Sequence, residues 1–123
     1  MTTEYASVIE GSRDRRRLAT AYRTRLTPLR AVRVLAAGAA AHGVEMPSIR
    51  WGTARHRDGW YATKTKTITL SRYADPLTLG TVLHELAHHL VEPHKPARHH
   101  SPLFVETLDD LVAWWHLEGK THR

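Results

Sequence analysis

His84-Glu85-Leu86-Ala87-His88 sets two imidazoles and a carboxylate within five residues, and helix geometry gives that H-E-x-x-H spacing a chemical use. Residues i and i+4 lie about 40° apart around a helix, so both rings project from one face and can grip one cation. Glu85 lies about 100° from His84 and can reach a water at the cation without displacing a ligand. Zinc lowers the pKa of such a water toward ~7, and the carboxylate takes its proton as the water attacks a carbonyl carbon. The chain has ten histidines and no cysteine. Disulfides and thiolate sites are therefore excluded, any metal must be held by imidazole or carboxylate, and a histidine-rich tetrahedral site favours zinc.

The same segment has an apolar face. With His84 at 0°, Leu79, Val82, Leu83, Leu86 and Leu90 all fall at about 160° to 260°, on the side opposite the polar trio. That separation is expected of a helix that packs a core on one side and lines a cleft on the other. A catalytic zinc takes a third protein ligand and keeps one open position. The downstream candidates are His89, His94, His99, His100 and Glu106. His89 points about 100° away from His88 and reads as a packing residue. His94 reaches the site only if its loop doubles back between Pro93 and Pro96. In the next helix Phe104, Leu108, Leu111, Val112 and Trp115 form the inward stripe. His100 falls about 40° from Phe104 on the inward side, whereas His99 and Glu106 fall outward. Phase thus favours His100, with His99 and Glu106 as alternatives. Tyr61 and Tyr73 lie near the motif in sequence; either could help to stabilise a transition state, and core packing is the plainer reading.

The elements that must position these residues can be read along the chain. Its 123 residues fit one compact domain over 1–123. Residues 1–11 read as a loose N-terminus. Two helices are expected within 12–43. The first is capped by Ser12 and runs to about Leu26. The second opens at Thr27-Pro28 and stops at Gly43. Over 49–71 the pattern changes to strands at Ile49–Ala54, Trp60–Thr63 and Lys66–Ser71, the last with period-two alternation. Asp75-Pro76 opens the motif helix, 76–91, and Ser101-Pro102 opens a final helix, 101–117. The expected class is α+β: a small antiparallel sheet of about three strands packed against helices.

The formal charge is +6, and residues 13–33 hold eight arginines against one acid, Asp14. That segment could face nucleic acid or another anionic partner, or be a solvated helix face. No apolar run is long enough to span a bilayer, and the first residues lack the basic-then-apolar pattern of a signal peptide, so a cytoplasmic protein without a membrane partner is expected.

Taken together, His84-Glu-Leu-Ala-His88-His-Leu and His100-Ser-Pro-Leu-Phe104 resemble the SprT-like zincin metallopeptidases. They resemble still more closely a family of small metallohydrolases of actinobacteria and their phages, which read H-E-L-A-H-H-L followed by H-G-P-x-F. The likeness covers about residues 49–117, and Ser101 stands where the family pattern has glycine. The resemblance implies a zincin-like active-site helix, a zinc cofactor held by His84, His88 and His100, Glu85 as general base, and a peptide or protein substrate. It further implies that Lys66, Thr67, Ile68, Thr69 and Leu70 form an edge strand that binds extended substrate by strand addition. Lys64 and Lys66 equally suit an edge guarded against pairing. Two alternatives stand beside a free-standing peptidase. One is proteolysis of DNA-bound proteins, as in SprT-like relatives, with the Arg-rich segment on the nucleic acid. The other is a non-catalytic domain whose zinc is closed by a fourth ligand from His89, His94 or His99.

Overall fold

The computed structural model describes residues 3–53, 55, 57–74, 76–92 and 100–118. Among these, the helices are α1 (Thr3–Gly11), α2 (Arg15–Ala21), α3 (Pro28–Ala41), α4 (Leu79–Val91) and α5 (Pro102–Leu117). The strands are β1 (Ser48–Gly52), β2 (Gly59–Ala62) and β3 (Thr67–Ser71). The α+β class is as expected. Helix α4 is its centre: every residue but Leu90 is buried, and it packs against α2, α3, α5 and the sheet. Val82, Leu83 and Leu86 are fully enclosed, each contributing about 1.5–3 kcal/mol of apolar burial. The polar trio is buried on the same helix, at 0 % exposure for His84, 3 % for Glu85 and 5 % for His88. The trio therefore lies inside the molecule, where an open cleft was expected.

The sheet differs from the expected antiparallel one. Its order is β1-β3-β2, with β2 antiparallel to β3 and β1 parallel to β3. Turn chemistry accounts for half of this. Residues 63–66 close the β2–β3 hairpin, with Lys66 at φ 49° in the left-handed region, a common device of short hairpin loops. The loop after β1 makes no hairpin, and β1 joins the far side of β3. All five residues of β3 are buried. Ile68 and Leu70 join the core, while Thr69 packs against Trp60 over Gly52, where a β-carbon would stand 2.8 Å from both side chains. A strand enclosed on both faces and paired on both edges is the one most able to take a parallel neighbour.

The helices also differ in four places. Residues 3–11 are helical where a loose terminus was expected. Tyr5 and Val8, one turn apart, are buried, and Ile9 packs beside them. Ser12 does not cap α2; Asp14 does, accepting from the Arg17 amide at 3.1 Å, while Ser12 donates to Asp109 of α5. Helix α2 ends at Ala21, short of Leu26, because the following residues pair elsewhere: the Leu26 amide donates to the Leu77 carbonyl at 2.9 Å and the Leu79 amide to the Thr24 carbonyl at 2.8 Å. That pairing holds Leu77 and Thr78 extended and delays α4 to Leu79, past Pro76, with Thr78 as its N-cap. The caps Thr27 and Ser101 are as expected, and Gly43 ends α3 at φ 71°.

Candidate metal centre

His84 sits at the middle of α4 with no solvent exposure. Its Nδ1 lies 2.7 Å from the Tyr22 hydroxyl, at the C-terminal end of α2. With Nδ1–H donating to that oxygen, the ring presents a bare Nε2 lone pair on its other side. Gly80, one turn earlier, makes the contact possible: a β-carbon there would stand 2.3 Å from Tyr22 Cδ1 and 2.7 Å from its Cα. The Tyr22 ring stacks on Tyr5 at 4.4 Å, and the Tyr5 hydroxyl shares a 3.0 Å hydrogen bond with Thr81. Helices α1 and α2 are therefore clamped to α4 at His84.

His88 is oriented by its own helix and the hairpin. Its Nδ1 is 3.1 Å from Glu92 Oε1, one turn on, and the other Glu92 oxygen accepts from the Thr63 hydroxyl at 2.8 Å. A carboxylate on the outer nitrogen of a ligating histidine fixes the tautomer and raises ligand basicity. His100 comes from a different element. It precedes Ser101, the α5 cap, whose hydroxyl accepts from the Phe104 amide at 3.2 Å. His100 has φ 55°, a region that L-residues with a side chain occupy at a cost of order 1–3 kcal/mol and that clusters at functional sites. That backbone brings its Nε2 to 3.0 Å from His84 Nε2.

One donor atom from each of His84, His88 and His100 lies within 4.8 Å of the others. The three side chains thus lie close enough to bind one metal ion. Donors ~2.0–2.1 Å from a tetrahedral ion stand roughly 3.3 Å apart, close to the His84–His100 separation. The buried Phe104 ring packs against all three imidazoles at centroid distances of 4.4 to 5.0 Å. Glu85 is buried beside β2, where Gly59 runs so close that a β-carbon would stand 3.3 Å from Glu85 Cγ.

The other expected site residues divide clearly. His89 has both ring nitrogens engaged, Nδ1 with the Tyr61 hydroxyl at 2.9 Å and Nε2 with the Glu45 carbonyl at 2.8 Å; it is a packing residue. Glu106 is exposed on α5 and is not in the histidine cluster. It borders a surface cavity of about 470 Å³ with His100, Arg13 and Asp109. His94 and His99 lie outside the described residues. The proposed substrate edge, Lys66 to Leu70, is not an edge, because β3 is paired on both sides; the edges of this sheet are β1 and β2. Tyr61 is partly buried against the core, and burial together with the Glu92 carboxylate pushes its hydroxyl up to about 12. Tyr73 is 46 % exposed, not core, with the Arg55 guanidinium 4.1 Å above its ring.

Tyr22, Glu92, Thr63, Gly59 and Gly80 were missing from the sequence reading of the site. Two carried a usable signal. Glu92 is four residues after His88, and Gly80 four before His84, both on the face of the motif. No family model matches this chain, and no curated protein or solved structure matches it. No helix among the described residues is long and apolar enough to cross a membrane.

Proposed function

We propose that this chain is a zinc-dependent hydrolase, a metallopeptidase with Glu85 as general base. One observation carries the reading: three histidines from α4 and the start of α5 converge within 4.8 Å, next in sequence to a buried carboxylate. His84, His88 and His100 would hold the metal. Tyr22 and Glu92 keep the outer nitrogens of His84 and His88 occupied, so that each ring can turn its other nitrogen inward. Bound there, zinc supplies a Lewis acid that makes water a competent nucleophile near neutral pH. Glu85 takes the proton of the attacking water and returns it to the leaving amine. The low exposure of Glu85 excludes bulk water and strengthens its electrostatic interactions. Approach is from the His100 side, which borders the cavity with Glu106 and Asp109. The peptide bond as target rests on the resemblance of His84–Leu90 and His100–Phe104 to SprT-like enzymes.

The test compares wild type with Glu85→Gln for zinc content and for cleavage of a broad peptide library. Equal zinc with activity lowered by about 10²–10⁴ in the variant is expected. Equal zinc with no cleavage by either protein would favour a structural metal.

A DNA-associated form of this activity is favoured by one further observation: Arg13, Arg15, Arg16, Arg23, Arg25, Arg30 and Arg33 are all exposed. Duplex affinity that falls steeply from 50 to 200 mM salt, as release of several counterions requires, supports it. No binding at the lower salt removes it.

A further inference from the structure

A second concave site lies away from the histidines, where α2, α3 and α5 meet the start of α4. Its volume is about 610 Å³, within the range of about 300–1,000 Å³ that holds small organic ligands. Arg16, Arg17, Arg25 and Arg30 line it. Leu26, Val34, Val112 and Trp115 supply an apolar surface between them. One acid lines the cavity, Asp14, and it is committed: it caps α2 and pairs with Arg17 at 3.4 Å. The lining is thus strongly cationic over apolar side chains, and it includes none of His84, Glu85, His88 and His100.

We propose that this cavity binds a small organic anion, a phosphate or carboxylate carried on an apolar body. Guanidinium forks match both head groups with paired, charge-assisted hydrogen bonds. An apolar chain or ring laid over Leu26 and Trp115, which are only partly buried, gains burial that a bare ion cannot. The shape decides against nucleic acid as the occupant of the cavity itself. A duplex is convex and touches arginines at a rim, whereas the apolar lining is reached only by a ligand small enough to enter. The site does not depend on the metallopeptidase reading.

The experiment titrates the 123-residue chain with octyl phosphate by calorimetry, beside inorganic phosphate and octanol, and follows the Trp115 indole N–H by NMR. Octyl phosphate is expected to bind roughly tenfold or more tighter than either control, with the Trp115 resonance shifting in step. The double variant Arg25→Ala/Arg30→Ala is expected to weaken it roughly tenfold or more while the rest of the NMR spectrum keeps its dispersion. Trp115→Ala, which leaves every arginine in place, is expected to bring octyl phosphate down toward inorganic phosphate. Equal affinity for inorganic and octyl phosphate would reduce the site to exposed arginines and overturn the proposal. So would octanol binding as well as octyl phosphate, a Trp115 resonance that stays still, or binding unchanged in the double variant.

Discussion

At the scale of single residues, the histidines were legible because helical spacing alone places His84 and His88 together, and phase brings His100 to the inward side of α5. Their supports were not equally legible. Tyr22 meets His84 from 62 positions away, and only the packing of α2 on α4 creates that contact. Tyr22→Phe removes the partner of the outer nitrogen of His84, and Glu92→Gln strips the charge from the partner of the outer nitrogen of His88. Each is expected to weaken zinc binding by about 10–100-fold with secondary structure retained, measured by competition with a chromophoric chelator. His89→Ala touches neither partner set and is expected to leave zinc affinity unchanged. Tyr61 supplies a prediction in pH. Its hydroxyl is raised from 10.0 to about 12, so the folded state holds the proton more tightly than the unfolded chain. The associated stability is complete below pH 10 and is lost as pH rises toward 12. Between pH 10 and 12 denaturation midpoints should fall less steeply in Tyr61→Phe than in wild type.

At the scale of elements, capping chemistry was legible where it is local. Thr27 and Ser101 start α3 and α5 because a hydroxyl followed by proline presets a first turn. Boundaries set by distant partners were not. Helix α2 stops early and α4 starts late through one shared event, the pairing of residues 24–26 with 77–79. The sheet shows the same limit: the β2–β3 hairpin follows from its loop, but the parallel β1 edge follows from the burial of β3 on both faces. That topology removes Lys66–Leu70 as a docking edge, so strand addition could occur only at β1 or β2. Gly80 is the element-scale test. Gly80→Ala forces Tyr22 away from α4, a shift expected to cost about 1–3 kcal/mol, read as a lower denaturation midpoint. Loss of the Tyr22 bond should also weaken zinc binding, which an ordinary alanine in a helix would not do.

At the scale of the whole molecule, the candidate centre is where α1, α2 and α5 converge on one buried helix. Tyr5 and Tyr22 join the first two to His84, and His100 is delivered by the entry to α5. Zinc should therefore stabilise the whole fold, not one loop, since an ion bound only by the folded state adds RT ln(1 + [L]/Kd), about 2.7 kcal/mol at a hundredfold excess over Kd. Thermal unfolding with and without zinc checks this, and His100→Ala should abolish most of the shift. The charge asymmetry was legible as eight arginines in 13–33, but the cavity they help to line was not, because Val112 and Trp115 come from the far end of the chain. The most direct test of the centre is zinc-edge X-ray absorption on the zinc-loaded protein. Three imidazole nitrogens and one further oxygen at ~2.0–2.1 Å are predicted. Four imidazoles around the ion would make the site closed and structural, and fewer than three would break the assignment of His84, His88 and His100.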